Sequence, residues 1–249
     1  MVGLPAKLDG AHAKTVALVP MNTQSRHQGF TRKELLVALA LLFTLGTSIY
    51  IYWARSFGTK DFNRVKANTT AGTAHVIHTL LVTWAEDHDG EFPTAHQFSN
   101  EAFRELFKAG LVDTEKLFSI AGDAWHKNSP SGDGKGPDNI IGTPPDFAQA
   151  LQRGECAYAY VSGLELTSRG DLPLIANGFS ESLGVYNTQS HKGGVFKGTK
   201  GVYVTVGGSA KIGDLSPDFR ILEMKNGKAT DVFSLEWGTN PEDIKNPEG

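Results

Sequence analysis

Near its N-terminus the chain carries one long stretch with no polar interruption. Leu35–Trp53 reads LLVALALLFTLGTSIYIYW, 19 positions without Asp, Glu, Lys or Arg. At about 1.5 Å per residue, a helix of this length covers most of a hydrocarbon core of about 30 Å. Tyr50, Tyr52 and Trp53 close the run with amphipathic rings suited to a membrane–water interface. Arg32 and Lys33 precede it, with Lys14 and Arg26 upstream, while Arg55 and Lys60 follow. This modest bias predicts a cytoplasmic N-terminus and a larger C-terminal part across the membrane. A secretory signal peptide is disfavoured. Its apolar region would be about 7–15 residues long and followed by a small-x-small site, whereas this run ends Tyr-Ile-Tyr-Trp-Ala-Arg.

Helical periodicity then resumes. Ala74, Ile77, Leu81 and Trp84, with Leu80 beside them, recur at helical spacing and mark one apolar face. Together the segments predict one long helix from about Phe30 to Asp87, with a kink at Gly58-Thr59 and a stop at Gly90. A second helix is expected after Ser99 or Asn100 as cap, with Ala102, Phe103, Leu106 and Phe107 facing the core and Gly110 closing it. Residues 128–145, rich in Gly, Pro, Ser and Asp, read as a long loop. Strand patterns follow at Cys156–Val161, Leu172–Ala176, Val202–Val206 with Ala210–Ile212, and Phe219–Met224 with Ala229–Leu235 around Asn226-Gly227. The polar residues from Gly238 onward, with two prolines, predict a disordered tail.

These elements give an α+β fold: a long N-terminal transmembrane helix packed against a small antiparallel sheet. The expected divisions are 1–29, 30–57, 58–237 and 238–249.

Composition adds little that contradicts this. Of 249 residues, 40% are hydrophobic and 20% charged, and the net charge of -3 shows no basic stripe for nucleic acid. The one cysteine, Cys156, excludes an internal disulfide and reads as a buried structural thiol. Enzymatic signatures are missing from the sequence: it has no Gly-x-Ser-x-Gly, no HExxH and no phosphate loop, since Gly132-Asp-Gly-Lys-Gly lacks the required spacing. His75 and His78 share a helical face without a third ligand, and read as solvated; His88 and His96 read as turn residues.

The flank of the apolar run sharpens the picture. Residues 29–42 read G-FTRKELLVALALL. This segment resembles the processing site of type IV prepilins and type II secretion pseudopilins. The resemblance implies cleavage after Gly29, N-methylation of the new terminus at Phe30, and an assembly role for Glu34, five places into the mature chain. Arg32 and Lys33 depart from it, standing where most members carry apolar residues. The segment Trp84-Ala-Glu-Asp-His-Asp-Gly-Glu-Phe-Pro-Thr94 resembles pseudopilin-like proteins, as Asn100–Phe107 resembles prepilin-like proteins.

A pilin-like fold and a structural, non-enzymatic role in a pilus or secretion pseudopilus are implied. Implied partners are a prepilin peptidase, other pilin or pseudopilin subunits, an assembly ATPase and platform protein, and membrane lipid before assembly. The location implied is the bacterial inner membrane, single-pass, with the C-terminal domain periplasmic. The burial cost of a carboxylate near a spanning helix supports the Glu34 role. It is about 2.5–3.5 kcal/mol at the bilayer centre, and a new terminal amine next door would offset it. Pseudopilins often hold calcium in a C-terminal loop; by that resemblance Asp133, Asp138 and Asn139 are the candidate ligands here. A second reading is an unprocessed, single-pass anchored periplasmic binding module.

Overall fold

The computed structural model describes residues 32–188 and 191–249; for 32–35 and 53–61, and for Ala38, it describes the backbone alone. The chain divides into two compact units between Trp53 and Ala54. Helix α1 (Arg32–Glu86) is continuous through Gly58 and Thr59. Its end is built as the sequence predicts: Gly90 takes φ +84° and its N–H donates to Ala85 O, a glycine stop that satisfies one of the last helical carbonyls.

In the second unit, α1 buries Ala67, Ala71, Ala74, Ile77, Leu81 and Ala85. Spacings of three and four put these side chains on one face, and the alanines permit close approach. Helix α2 (Ser99–Lys108) packs Ala102, Phe103, Leu106 and Phe107 into the same core, where Phe103 meets Phe118 at 5.1 Å and Tyr160 at 5.6 Å between centroids. Its capping differs from expectation. Ser99 and Asn100 lie inside the helix, buried, and reach across the core instead: Ser99 Oγ donates to Tyr158 O, and Asn100 Nδ2 to Leu151 O. Glu101 serves the N-terminus, its Oε2 accepting from His96 N and Gln97 N.

The sheet is antiparallel throughout: β1 (Tyr158–Val161), β2 (Pro173–Asn177), β3 (Lys200–Thr205), β4 (Ala210–Asp214) and β7 (Ile244–Lys245), in the order β4-β3-β2-β1-β7. A separate hairpin joins β5 (Leu222–Lys225) to β6 (Lys228–Asp231) through Asn226-Gly227, both at positive φ as a primed turn requires. On one face of the sheet, Tyr158, Tyr160, Val202 and Val204 join the helical core. On the other, Ala159, Val161, Ala176 and Tyr203 join Phe179, Tyr186, Ile221, Phe233 and Trp237 in a second core. Burial on both faces explains why β1 and β2 lack solvent-facing positions.

Two further expectations are corrected. The segment from Gly238 is not a disordered tail. It forms a 3₁₀ turn at Pro241–Asp243 capped by Asn240, then strand β7, which pairs with β1. Asn246 then bonds Phe179 N, Ser180 O and Ser99 N, and Glu248 bonds Asn100 Oδ1 and Gly154 N. Nor do His75 and His78 both point into solvent. Carbonyls only accept, so His75 Nδ1 donates to Gly208 O at 3.0 Å and His78 Nε2, buried, donates to Val206 O at 2.8 Å. The pair fastens the β3–β4 turn to α1, and burial holds the His78 imidazole below its ordinary pKa.

Candidate functional site

Two regions carry the residues that the sequence singles out. The first is the start of α1. Gly29 and Phe30 lie outside the described residues. The backbone of Glu34 is helical, within α1, and its side chain lies outside the described residues.

Beyond it the helix is apolar all round. Leu36, Val37, Leu39, Leu41, Leu42, Phe43, Leu45, Ile49, Tyr50, Ile51 and Tyr52 are each 52–77% exposed. The Thr and Ser hydroxyls of the segment are turned to the helix backbone. Thr44 Oγ1 donates to Leu41 O, Thr47 Oγ1 to Phe43 O and Ser48 Oγ to Thr44 O, at 2.8–3.0 Å. Such back-bonding removes the polar cost of placing Ser or Thr in an apolar medium. Among the described residues, no helix is long and apolar enough to cross a membrane; Leu35, Ala38 and Trp53, which belong to the uncharged run, have side chains outside the described set.

The second region is an acidic cluster. Glu115 opens the 3₁₀ turn Glu115–Phe118, Asp138 lies in the Gly/Pro loop, and Glu155 precedes β1. One carboxylate oxygen from each lies within 4.8 Å of the others. Glu115 and Glu155 are fully buried. Backbone amides hold the cluster in place: Glu115 Oε1 accepts from Leu151 N, and Glu155 accepts from Asp138 N at 3.0 Å and Gln152 N at 2.7 Å. Burial, then the neighbouring Glu155 and Asp138 carboxylates, push the Glu115 carboxyl up to about 7, and burial also raises Glu155.

Of the three oxygen ligands expected from sequence, only Asp138 stands in this cluster. Asp133 instead orders an exposed turn, its Oδ1 accepting from Ser131 Oγ and Lys135 N. Asn139, at φ +66°, turns its Oδ1 to Thr114 Oγ1 and Glu115 N. Glu115 and Glu155 were missed. Their one sequence signal is a carboxylate set directly beside apolar core residues, as in Glu155-Cys156-Ala157. Cys156 is buried as expected, and burial pushes its thiol up to about 12, which suppresses the reactive thiolate. An open cleft of about 560 Å³, lined by residues including Lys127, Ser180 and Lys192, holds none of the predicted site residues.

Asp123 is a third buried acid. Its Oδ1 caps the turn Ala124–Asn128 through Trp125 N, while Oδ2 is buried with no hydrogen-bond partner among the described residues. Burial raises its pKa from 3.8 to about 7, with Lys66 opposing. Because the folded state holds this proton more tightly, the associated stability is full below the unfolded pKa. It is lost as pH rises to about 7 and changes no further above that. The loss is on the order of 4 kcal/mol. Asp123→Asn keeps the cap and removes the titration. In urea titrations the variant should therefore gain stability relative to wild type between pH 4 and 7; a difference constant with pH would contradict this.

Compared with family models, curated proteins and solved structures, the chain matches none.

Proposed function

We propose that the protein is a prepilin-like structural subunit. It inserts in the membrane through the apolar start of α1, is cut after Gly29 and methylated on Phe30, and is drawn into a short filament with its sheet domain outward. The observation that carries this reading is the segment Leu36–Tyr52. Its described side chains are apolar on every side and exposed, its Thr and Ser hydroxyls bond to its own backbone, and the uncharged run that holds it follows Gly-Phe-Thr-Arg-Lys-Glu. A helix that is apolar all round needs an apolar surrounding on every side. Lipid before assembly and neighbouring helices afterwards both supply one.

In this reading Glu34 sets the register between subunits. Its carboxylate meets the cationic terminal amine of a neighbour's processed Phe30, which keeps its charge on methylation. In this reading Arg32 and Lys33 lie beside the membrane surface, where long stems would carry their charge to water.

Glu34→Leu tests this division of labour. Removing the charge makes insertion no harder, so the variant should be inserted and cleaved like wild type. Subunit–subunit cross-links between α1 segments should be lost. Wild-type cross-linking in that variant would remove the role given to Glu34.

The alternative, an uncleaved anchored binding module, draws on the same apolar segment but leaves the Gly29–Phe30 bond intact. The two readings part at the chemistry of the N-terminus.

A further inference from the structure

Two cavities in the second unit lie against α1 and have Phe62 and Lys66 in common. Their characters differ. One, of about 270 Å³, is mostly apolar, with Phe62 and Val65 of α1 and Ile120, Ala121 and Tyr158 in its walls. Two of its hydroxyls are already engaged: Thr69 Oγ1 donates to Val65 O at 3.1 Å, and the Tyr158 hydroxyl to Thr70 O at 3.5 Å. The other, of about 240 Å³, is polar and cationic. Asn63, Lys66, His191 and Lys197 line it, with no Asp or Glu among its described lining residues. Together the two fall in the range of small-ligand sites, about 300–1,000 Å³.

Lys66 belongs to both walls. It is half-buried, and its ammonium donates to Val195 O at 3.4 Å. Among the described residues, neither Lys66 nor Lys197 has a carboxylate within ion-pair distance. Asp123 attracts Lys66 from further off, but burial keeps that carboxyl largely protonated below about pH 7. Burial lowers the pKa of Lys66, and the charge of Lys197 adds to the effect. A cation stripped of water and lacking a partner is costly, and an anion beside it offsets that cost. On the apolar side, Phe62 and Val65 are 64% and 63% exposed.

We propose that this groove binds a single-chain amphiphilic carboxylate of the free fatty acid kind, its carboxylate on Lys66 and Lys197 and its chain between Phe62, Val65 and Ile120.

Charge complementarity selects the head and the apolar walls select the body. There is one apolar chamber beside the cations, so one chain is accommodated; the second chain of a phospholipid would be left in water. A ligand that is mostly apolar, with a few polar contacts to fix its orientation, is the usual occupant of such a site. The inference does not rest on cleavage or filament assembly, because it concerns the second unit alone.

The test uses the full chain in phosphatidylcholine nanodiscs, with the Val65 and Ile120 methyl signals followed by NMR as sodium octanoate is added. Both signals should shift and saturate, with a dissociation constant in the micromolar-to-millimolar range. Hexanoate, two methylenes shorter, should bind about tenfold more weakly. Octanol keeps the chain and lacks the charge, and it should also bind about tenfold or more weakly than octanoate. Lys66→Met keeps the stem and removes the charge, and should weaken octanoate binding by about tenfold or more. Val65→Asp sets a like charge on the exposed wall and should weaken it comparably, read at Ile120; because Val65 is exposed, this variant keeps the fold where a change at Lys66 disturbs it. Lys228→Met, which breaks the ion pair with Glu236 on the β5–β6 hairpin, should bind like wild type.

Equal midpoints for octanoate and octanol would overturn the proposal, as would the absence of any shift with millimolar octanoate. So would unchanged affinity in Lys66→Met or, should that variant not fold, in Val65→Asp. The same methyl shifts produced by raising protein concentration without octanoate would place a second copy of the chain in the groove, and that too would overturn it.

Discussion

Gly29→Ala leaves a precursor that keeps its first 29 residues. Glycine just before a cut bond lets a peptidase backbone approach where a Cβ would intrude. Overfilling a tight site costs about 1–3 kcal/mol, which slows the cut by on the order of tenfold to a hundredfold. The variant should still enter the membrane, because Leu35–Trp53 is untouched. On a gel of membrane fractions the wild type runs as the shorter species and the variant as the longer one. Equal mobility of the two at the precursor position would mean that no cleavage occurs, and the anchored-module reading would prevail.

The second large effect lies at the other end of the chain. Truncation after Asn240 removes β7 and the residues that follow. Ile244 leaves the second core, a loss of about 1.5–3 kcal/mol. Ser99 N, Gly154 N, Ser162 N and Phe179 N lose their acceptors in Asn246, Glu248 and Asp243. Each orphaned buried donor costs about 1–3 kcal/mol. Together these losses approach the whole stability of an ordinary domain, about 5–15 kcal/mol. The truncated chain is expected to be unfolded at room temperature by circular dichroism. Asn246→Ala, which spares β7, should lower the denaturation midpoint without abolishing folding. A truncated chain with an unchanged midpoint would show that the terminal segment is not part of the fold.

That segment also marks where sequence reasoning fell short. Its composition is polar with two prolines, and nothing in a local pattern distinguishes a solvated tail from a strap bonded to the core through its backbone and Asn246. The engagement is long-range: Glu248 N reaches Asn100 Oδ1, and Lys245 faces Tyr160. Periodicity reads what neighbours in sequence share, and so it found α1, α2 and the six strands ahead of β7. The two-sided burial of β1 to β3 was not legible for the same reason, since Phe179, Tyr186 and Phe233 lie in irregular segments with no period. The residue types of Ser99 and Asn100 favour a helix cap; core partners at Tyr158 O and Leu151 O outcompete it. In the acidic cluster, Asp138 was visible from loop composition, whereas Glu115 and Glu155 converge on it only once α2 and β1 are packed.

The central claim is that the apolar helix begins, in the working protein, at a newly made amine on Phe30. Intact-mass and N-terminal sequence determination on the protein from its native membrane tests it directly. The account predicts a chain that starts with N-methylated Phe30 and lacks residues 1–29. A native chain that still carries those residues, with the Gly29–Phe30 bond unbroken, would contradict it.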